Sequence, residues 1–412
     1  MARSSLNRKT VGLFAVLAVS VATVAACSSS GAQSDSASGP YRVLLAAGLS
    51  GPGPLTANAQ TEVLAAKAGA EVINKAGGIG GRQIEITVVD DGGDATTAVT
   101  KVREAINSGQ KPDLFLDTGP SSVPTAVLPI LKQNKILSFN VSPTADTSDP
   151  KKFPLNFDLT TSPDATSLAV AQYAKGKGYE SVGIIHSSTS SGETIGSTLQ
   201  SALQQTGVRS AGNESYDATA LDMTAQLQAL KNAGASAVFI DAYGASLGYI
   251  LQNVQRLGWN VPLIGGISAS ATGLITKNPP DGVLGTPQVA NMVTQVLRSN
   301  VYDPNDKAVN TMVDTMASLG AIPGSVELAA NYDAFPLLAS AAKQAGTTTD
   351  AAKLATALES PVVQQNAQTA YLPRYHFDAT THAANVDAST FEFIKPGPLV
   401  NGQFGHPATN GS

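Results

Sequence analysis

The chain has 412 residues, with 26 Lys and Arg against 31 Asp and Glu for a formal charge of −5, and it contains one cysteine. An acidic chain without a cluster of Lys or Arg is a poor partner for nucleic acid, whose phosphates require a basic face, and a lone cysteine excludes an intrachain disulfide. Stability must come from apolar packing, and this length is enough for two cores.

In chain order, the first feature is Arg3, Arg8 and Lys9, then the uncharged run 11–26, then Cys27. A basic start, a short apolar stretch and small residues at its end form an export signal. A membrane span is the alternative, but the run is shorter than the roughly 20 residues that cross a hydrocarbon core of about 30 Å. Val24, Ala25, Ala26 and Cys27 resemble a bacterial lipobox, in which the cysteine becomes the new N-terminus and carries lipid. That resemblance implies a signal peptide over 1–27 and an extracytoplasmic protein anchored to the cell membrane by lipid on Cys27. Cleavage before Cys27 removes three basic and no acidic residues, leaving 23 against 31 and a formal charge of −8. Residues 28–40 are almost entirely Ser, Gly, Ala, Asp and Gln, the composition of a flexible tether.

From Tyr41 onward, short β-rich runs alternate with longer Ala-rich stretches of helical period, as expected of α/β units with parallel strands. Strands are predicted over 42–46, 84–89, 114–116 and 136–139, then over 181–185, 237–240 and 262–264. Helices are predicted over 62–76, 96–108, 123–133, 165–177, 194–207, 223–233 and 247–257. Several stop at a glycine that can take a left-handed conformation, as at Gly178, Gly207, Gly234 and Gly258. Two similar series suggest two lobes, and in open parallel sheets ligands bind beyond the carboxyl ends of the strands. The loops at those ends are 48–52, 117–122, 140–144, 186–192, 241–244 and 265–268. They hold hydroxyls and free amides and few charges, which suits hydrogen bonding of a small polar ligand better than acid/base chemistry.

The runs Leu49-Ser50-Gly51-Pro52, 70–82 with its Gly77-Gly78-Ile79-Gly80-Gly81-Arg82, and Val88-Val89-Asp90-Asp91 carry a resemblance, continued by 119–122, Ser142-Pro143 and 329–334. Together they resemble the branched-chain amino-acid (Leu/Ile/Val) type of periplasmic binding protein, in its lipoprotein form. The resemblance implies an α/β type I fold of two Rossmann-like lobes joined by three crossovers, expected near 159–162, 283–286 and 384–387. The first lobe would then comprise 41–160 and 287–385 and the second 161–286 and 386–400, with an edge strand over 390–394 and a tail over 401–412.

In amino-acid-binding relatives one lobe holds the ligand carboxylate, which by resemblance falls to Ser121, with Ser122 beside it, and to Ser142 and Thr144 in the Ser-Pro loop. Asp146 stands where the family commonly has Thr, and an ionised Asp146 would repel a carboxylate unless rotated away; Thr147 is the neighbouring hydroxyl that a local shift would bring in. The other lobe recognises the ammonium with a Tyr and an acid. Tyr243 takes the Tyr position, whereas the acid position falls on Ile267, which cannot neutralise an ammonium. Asp241 either replaces that acid or caps a loop. The site therefore either rearranges its anion or does not bind α-amino acids, and a carboxylate-bearing or neutral apolar ligand fits the loss better. Residues 55–58, where relatives often place an aromatic, have none.

Plainer readings stand beside these. Ser121, Ser122 and Thr144 have the residue types that cap helices, although such a terminus also attracts anions. Tyr243 can pack beneath a loop, and His186 can be a loop residue instead of a cleft contact. Trp259 is expected at a core edge. Asp90, Asp91 and Asp94 read as solvated turn residues, since no calcium-loop spacing follows. His376 and His382 are weak zinc candidates. No nucleotide loop, nucleophile elbow or zinc-protease motif occurs, so neither a cofactor nor an enzyme is expected. The leading expectation is a monomeric solute-binding receptor delivering a small ligand to an ABC importer of permease and ATPase subunits. A ligand-sensing receptor of the same fold, or a secreted α/β hydrolase, are the alternatives.

Overall fold

The computed structural model describes residues 39–51 and 54–405. The export signal, Cys27 and nearly all of the tether lie outside the described residues. Strands β1 (Tyr41–Ala47), β2 (Ile84–Asp90), β3 (Leu114–Asp117), β4 (Leu137–Asn140) and β5 (Asn156–Asp158) form a parallel sheet in the order β2-β1-β3-β4-β5. Helices α1 (Pro54–Lys75), α2 (Ala95–Asn107) and α3 (Ser122–Gln133) connect them. Because side chains alternate along a strand, β1 serves both faces of its sheet. Tyr41, Val43, Leu45 and Ala47 join the core beneath α1, while Leu44 and Ala46 join the core with α2 and α3. A near-continuous apolar strand is what a sheet covered on both sides requires.

The chain then enters the second lobe through α4 (Pro163–Gly176). There follow β6 (Ser181–Ser187), α5 (Ser190–Thr206), β7 (Arg209–Tyr216), α6 (Thr224–Asn232), β8 (Ala237–Asp241), α7 (Ala245–Arg256), β9 (Leu263–Gly265), the short α8 (Ile267–Ser270) and β10 (Met292–Leu297). The α9 (Lys307–Leu319), α10 (Ala334–Ala345), α11 (Ala351–Leu358) and α12 (Pro361–Asn366) helices contribute to the first-lobe core, and β11 (Phe391–Ile394) returns to the second sheet. That sheet runs β11-β10-β9-β8-β6-β7, with β11 antiparallel to β10 and the rest parallel. Here too β8 serves two cores, through Val238 and Ile240 on one face and Ala237 and Phe239 on the other. The fold is therefore the expected type I α/β architecture.

Two differences from the sequence reading concern where the chain changes lobes. Residues 292–297, expected within the first lobe, form β10 and pair with β9, so the second passage follows Leu297 instead of lying at 283–286. Buried Met292 joins the second-lobe core, and β10 fills the place between β9 and β11. Residues 401–405, expected as a tail, are docked. Phe404 is buried, the Tyr302 amide donates to its carbonyl, and β12 (Leu399–Val400) pairs with β13 (Gln403–Phe404).

The motif at 77–82 is a turn at the amino end of the first sheet, remote from the carboxyl ends of its strands. The Gly78 backbone is left-handed, and an added Cβ would lie 2.1 Å from the Arg82 carbonyl oxygen. Buried Arg82 pairs with Asp113 at 2.7 Å and donates to the Gly39 and Pro40 carbonyls. This resemblance-bearing motif thus clamps the start of the fold.

Candidate functional site

The candidate residues stand on the loops and helix starts that follow strands of both sheets, or on α1. On the first lobe, Ser121 occupies the N-cap position of α3 but makes no side-chain capping bond, so its hydroxyl is free beside a helix N-terminus. Ser122 is exposed. Ser142 donates its hydroxyl to the Gly119 carbonyl at 2.8 Å, tying the loop after β4 to the loop after β3. The Thr144 amide donates to the Thr147 hydroxyl at 2.8 Å, and that hydroxyl donates to Asp158 at 3.1 Å. Thr147 is buried in this network and supplies no free hydroxyl. Asp146 is exposed and pairs with Lys152. The outward pairing removes the repulsion that an inward Asp146 would exert on an anion.

On the second lobe, Tyr243 follows β8 and its hydroxyl donates to Asn58 Oδ1 on α1 at 2.9 Å. This hydrogen bond spans the two lobes. Ile267, at the start of α8, packs against the first-lobe core, a second contact across the seam. Asp241 accepts from the Ser268 hydroxyl at 2.6 Å. Burial pushes its carboxyl above the usual range, partly offset by that hydrogen bond and by the nearby His186. His186 itself is buried, with Nδ1 2.9 Å from the Ser187 carbonyl oxygen. Its ring lies where a Cβ on Gly196 of α5 would fall, at 2.5 Å, so it is packed beneath a helix instead of presented to the cleft.

Three acids that the sequence reading did not single out as ligand contacts stand at the same end of the first lobe. Glu62 lies one turn beyond Asn58 on α1, Asp117 ends β3 and Asp91 follows β2, and all three are buried. Burial and the neighbouring Asp117 push Glu62 well above its ordinary value; burial does the same to Asp117, with Asp158 and Asp91 adding to it. Asp91 is therefore not a solvated turn residue, whereas Asp94 caps α2 by accepting from the Thr97 amide at 2.8 Å. Asp117 could have been found from its position at a strand's carboxyl end. Asn58 and Glu62 could not, because the first turns of α1 lack an apolar period.

Other singled-out side chains serve the framework. His382 is fully buried, stacked on Phe157 with ring centroids 3.9 Å apart and 3.1 Å from Glu359. Trp259 packs on the second-lobe core. Among the described residues no group of three or more His, Cys, Asp or Glu is placed to hold a metal ion. None of the described helices is long and apolar enough to cross a membrane.

Comparison with known proteins agrees with this geometry. A profile described as periplasmic binding protein matches residues 40–397. The leucine-, isoleucine-, valine-, threonine- and alanine-binding protein of Pseudomonas aeruginosa is 24% identical over 356 residues, covering 84% of this chain and 89% of its own. The Leu/Ile/Val-binding protein homolog 3 of Brucella melitensis is 27% identical over 311 residues, covering 74% and 80%. Among solved structures, a type 1 periplasmic binding protein from Bordetella pertussis superposes with a TM-score of 0.70 at 22% identity, covering 86% of this chain and 96% of its own.

Proposed function

This chain belongs to the periplasmic binding protein family, and we propose that it is a lipid-anchored receptor that captures a small amino acid or carboxylate-type solute and delivers it to an ABC importer. As a periplasmic solute-binding protein of the branched-chain amino-acid transporter type, it works outside the cytoplasm. The importer's permease and ATPase subunits are its partners, and lipid on Cys27 holds it at the membrane.

The observation that carries this reading is the Tyr243–Asn58 hydrogen bond, because it joins groups on opposite lobes at the carboxyl ends of both sheets. An open form exposes both lobes, the solute first meets one, and closure adds the contacts of the other while excluding water. A solute shifts that equilibrium only by its differential affinity for the closed form, so contacts from both lobes are required. On the first lobe, the free Ser121 hydroxyl and the α3 N-terminus favour an anionic group. On the second, Tyr243 and Ile267 close over it.

A thermal-shift screen with leucine, its keto acid, short amides and aromatic acids tests the reading. One of them should stabilise saturably, by about 2.7 kcal/mol at a hundredfold excess over Kd, and be recovered unchanged. Chemical turnover, or no stabilisation by any of them, contradicts it. The anchor is tested separately, since Cys27→Ala should release the exported protein from the membrane fraction.

A further inference from the structure

Five buried acceptors gather near the end of β3 without a completed hydrogen bond. Both carboxyl oxygens of Asp117, Oε2 of Glu62, Oδ2 of Asp91 and Oδ1 of Asn331 have no hydrogen-bond partner. Asn331 is fully buried, and its Nδ2 donates to the Asp117 carbonyl oxygen at 2.9 Å, which fixes the amide beside Asp117. The Val141 amide favours the charge of Asp117 without completing a hydrogen bond, and Thr118 does the same for Glu62 from its hydroxyl. Unmet acceptors of this kind are costly and uncommon in a folded interior.

The charges acting on these acids are other carboxylates. Asp117 acts on Glu62, Asp158 and Asp91 act on Asp117, and Asp90 and Asp94 act on Asp91. Tyr243 from the second lobe and Tyr371 both feel Glu62. Among the described residues no cation is among the charges acting on these three acids, a balance that suits a cationic guest. Among the described residues no three or more His, Cys, Asp or Glu side chains converge as metal ligands do. An ammonium group, with several N–H donors pointing in different directions, fits separated acceptors better.

Position links the acceptors to the cleft. Glu62 is one turn from Asn58, the residue that receives Tyr243 from the other lobe. The acid position that the resemblance assigns to the second lobe is Ile267. We propose that the ammonium-neutralising group of this receptor sits on the first lobe, in Glu62 and Asp117 with Asn331 Oδ1 beside them, so that its solute is an amine-bearing compound. This rests on the interlobe cleft being the solute site. It selects the rearranged-anion alternative over a ligand without an amine.

The test compares isosteric pairs by thermal shift and calorimetry on the full chain: leucine against its keto acid, and isopentylamine against isopentanol. The amine of at least one pair should bind tenfold or more tightly than its counterpart. Glu62→Gln and Asp117→Asn should each remove that preference while leaving the unliganded melting temperature unchanged or higher, since each replaces a buried acid by a neutral isostere. Amine binding should also release protons, read from the buffer dependence of its heat, because the acids must ionise. A keto acid bound as well as or better than leucine, with no amine preferred in the other pair, overturns the inference and leaves the solute-binding reading intact. So does an amine preference that survives both substitutions. No binding by any of the four, nor by any member of the wider screen, defeats the solute-binding reading itself.

Discussion

Removing the Tyr243 hydroxyl perturbs closure at one atom. Tyr243→Phe keeps the ring and deletes only the donor that reaches Asn58 Oδ1 at 2.9 Å. Both partners are neutral and partly buried, so the net contribution is about 0.5–1.5 kcal/mol. Since 1.4 kcal/mol is tenfold in an equilibrium constant, the closed form should lose about two- to tenfold in population relative to the open one. Asn58→Ala should weaken closure to a similar extent. In a double-mutant cycle read by titration with the most stabilising solute of the screen, the two effects should couple by that same amount. The unfolding midpoint of the unliganded protein should change less, because each lobe keeps its own core. Additive losses in the cycle, with no coupling, would refute the idea that this contact forms on closure.

Other consequences are open to measurement. Asp333 accepts from the Ala370, Tyr371 and Leu372 amides at 2.7, 3.1 and 3.0 Å and from the Tyr375 hydroxyl at 2.9 Å. Asp333→Ala should therefore cost about 3–5 kcal/mol in denaturant unfolding, and a loss below about 1 kcal/mol contradicts this role. Gly69 lets α1 press on the 330–332 turn, for a Cβ there would lie 2.6 Å from the Tyr332 carbonyl oxygen; Gly69→Ala should destabilise by about 1–3 kcal/mol, and a neutral effect would show that the contact is loose. Burial raises Asp333 to about 6, Asp158 to about 7 and Glu327 to about 8. Carboxyls with a higher pKa folded than unfolded bind more protons when folded, so their stabilisation is complete below the unfolded values and is lost as pH rises through about 6 to 8. The melting temperature should fall over that interval, and Glu327→Gln should flatten the fall; a rising melting temperature contradicts the shifts.

The strands with apolar runs were legible because burial on both faces leaves a continuous signal, as in β1 and β8. The glycine stops were legible for a local reason, since Gly178, Gly207, Gly234 and Gly258 all have left-handed φ, between 55° and 80°. Edge strand β7, with the sequence RSAGNESY, pairs with β6 alone among the described residues and carries too few apolar residues to stand out. The three-residue β5 is too short for any period. Buried α10 is apolar on nearly every side, whereas α9 carries a readable stripe at Val309, Met312, Val313 and Met316 that the reading passed over. At the candidate site, Ser121 and Tyr243 are proposed from spacing within a resemblance. The exposure of Asp146, the burial of Asp91 and the approach of Glu62 to Asp117 depend on contacts distant in sequence, which no local pattern carries.

Closure of two lobes on a solute is tested most directly by small-angle scattering of the chain titrated with the solute that gives the largest thermal shift. The radius of gyration should fall saturably and track occupancy, with a smaller fall at equal solute concentration for Tyr243→Phe. A radius that stays constant from the free to the saturated protein, with the solute bound throughout, would contradict it.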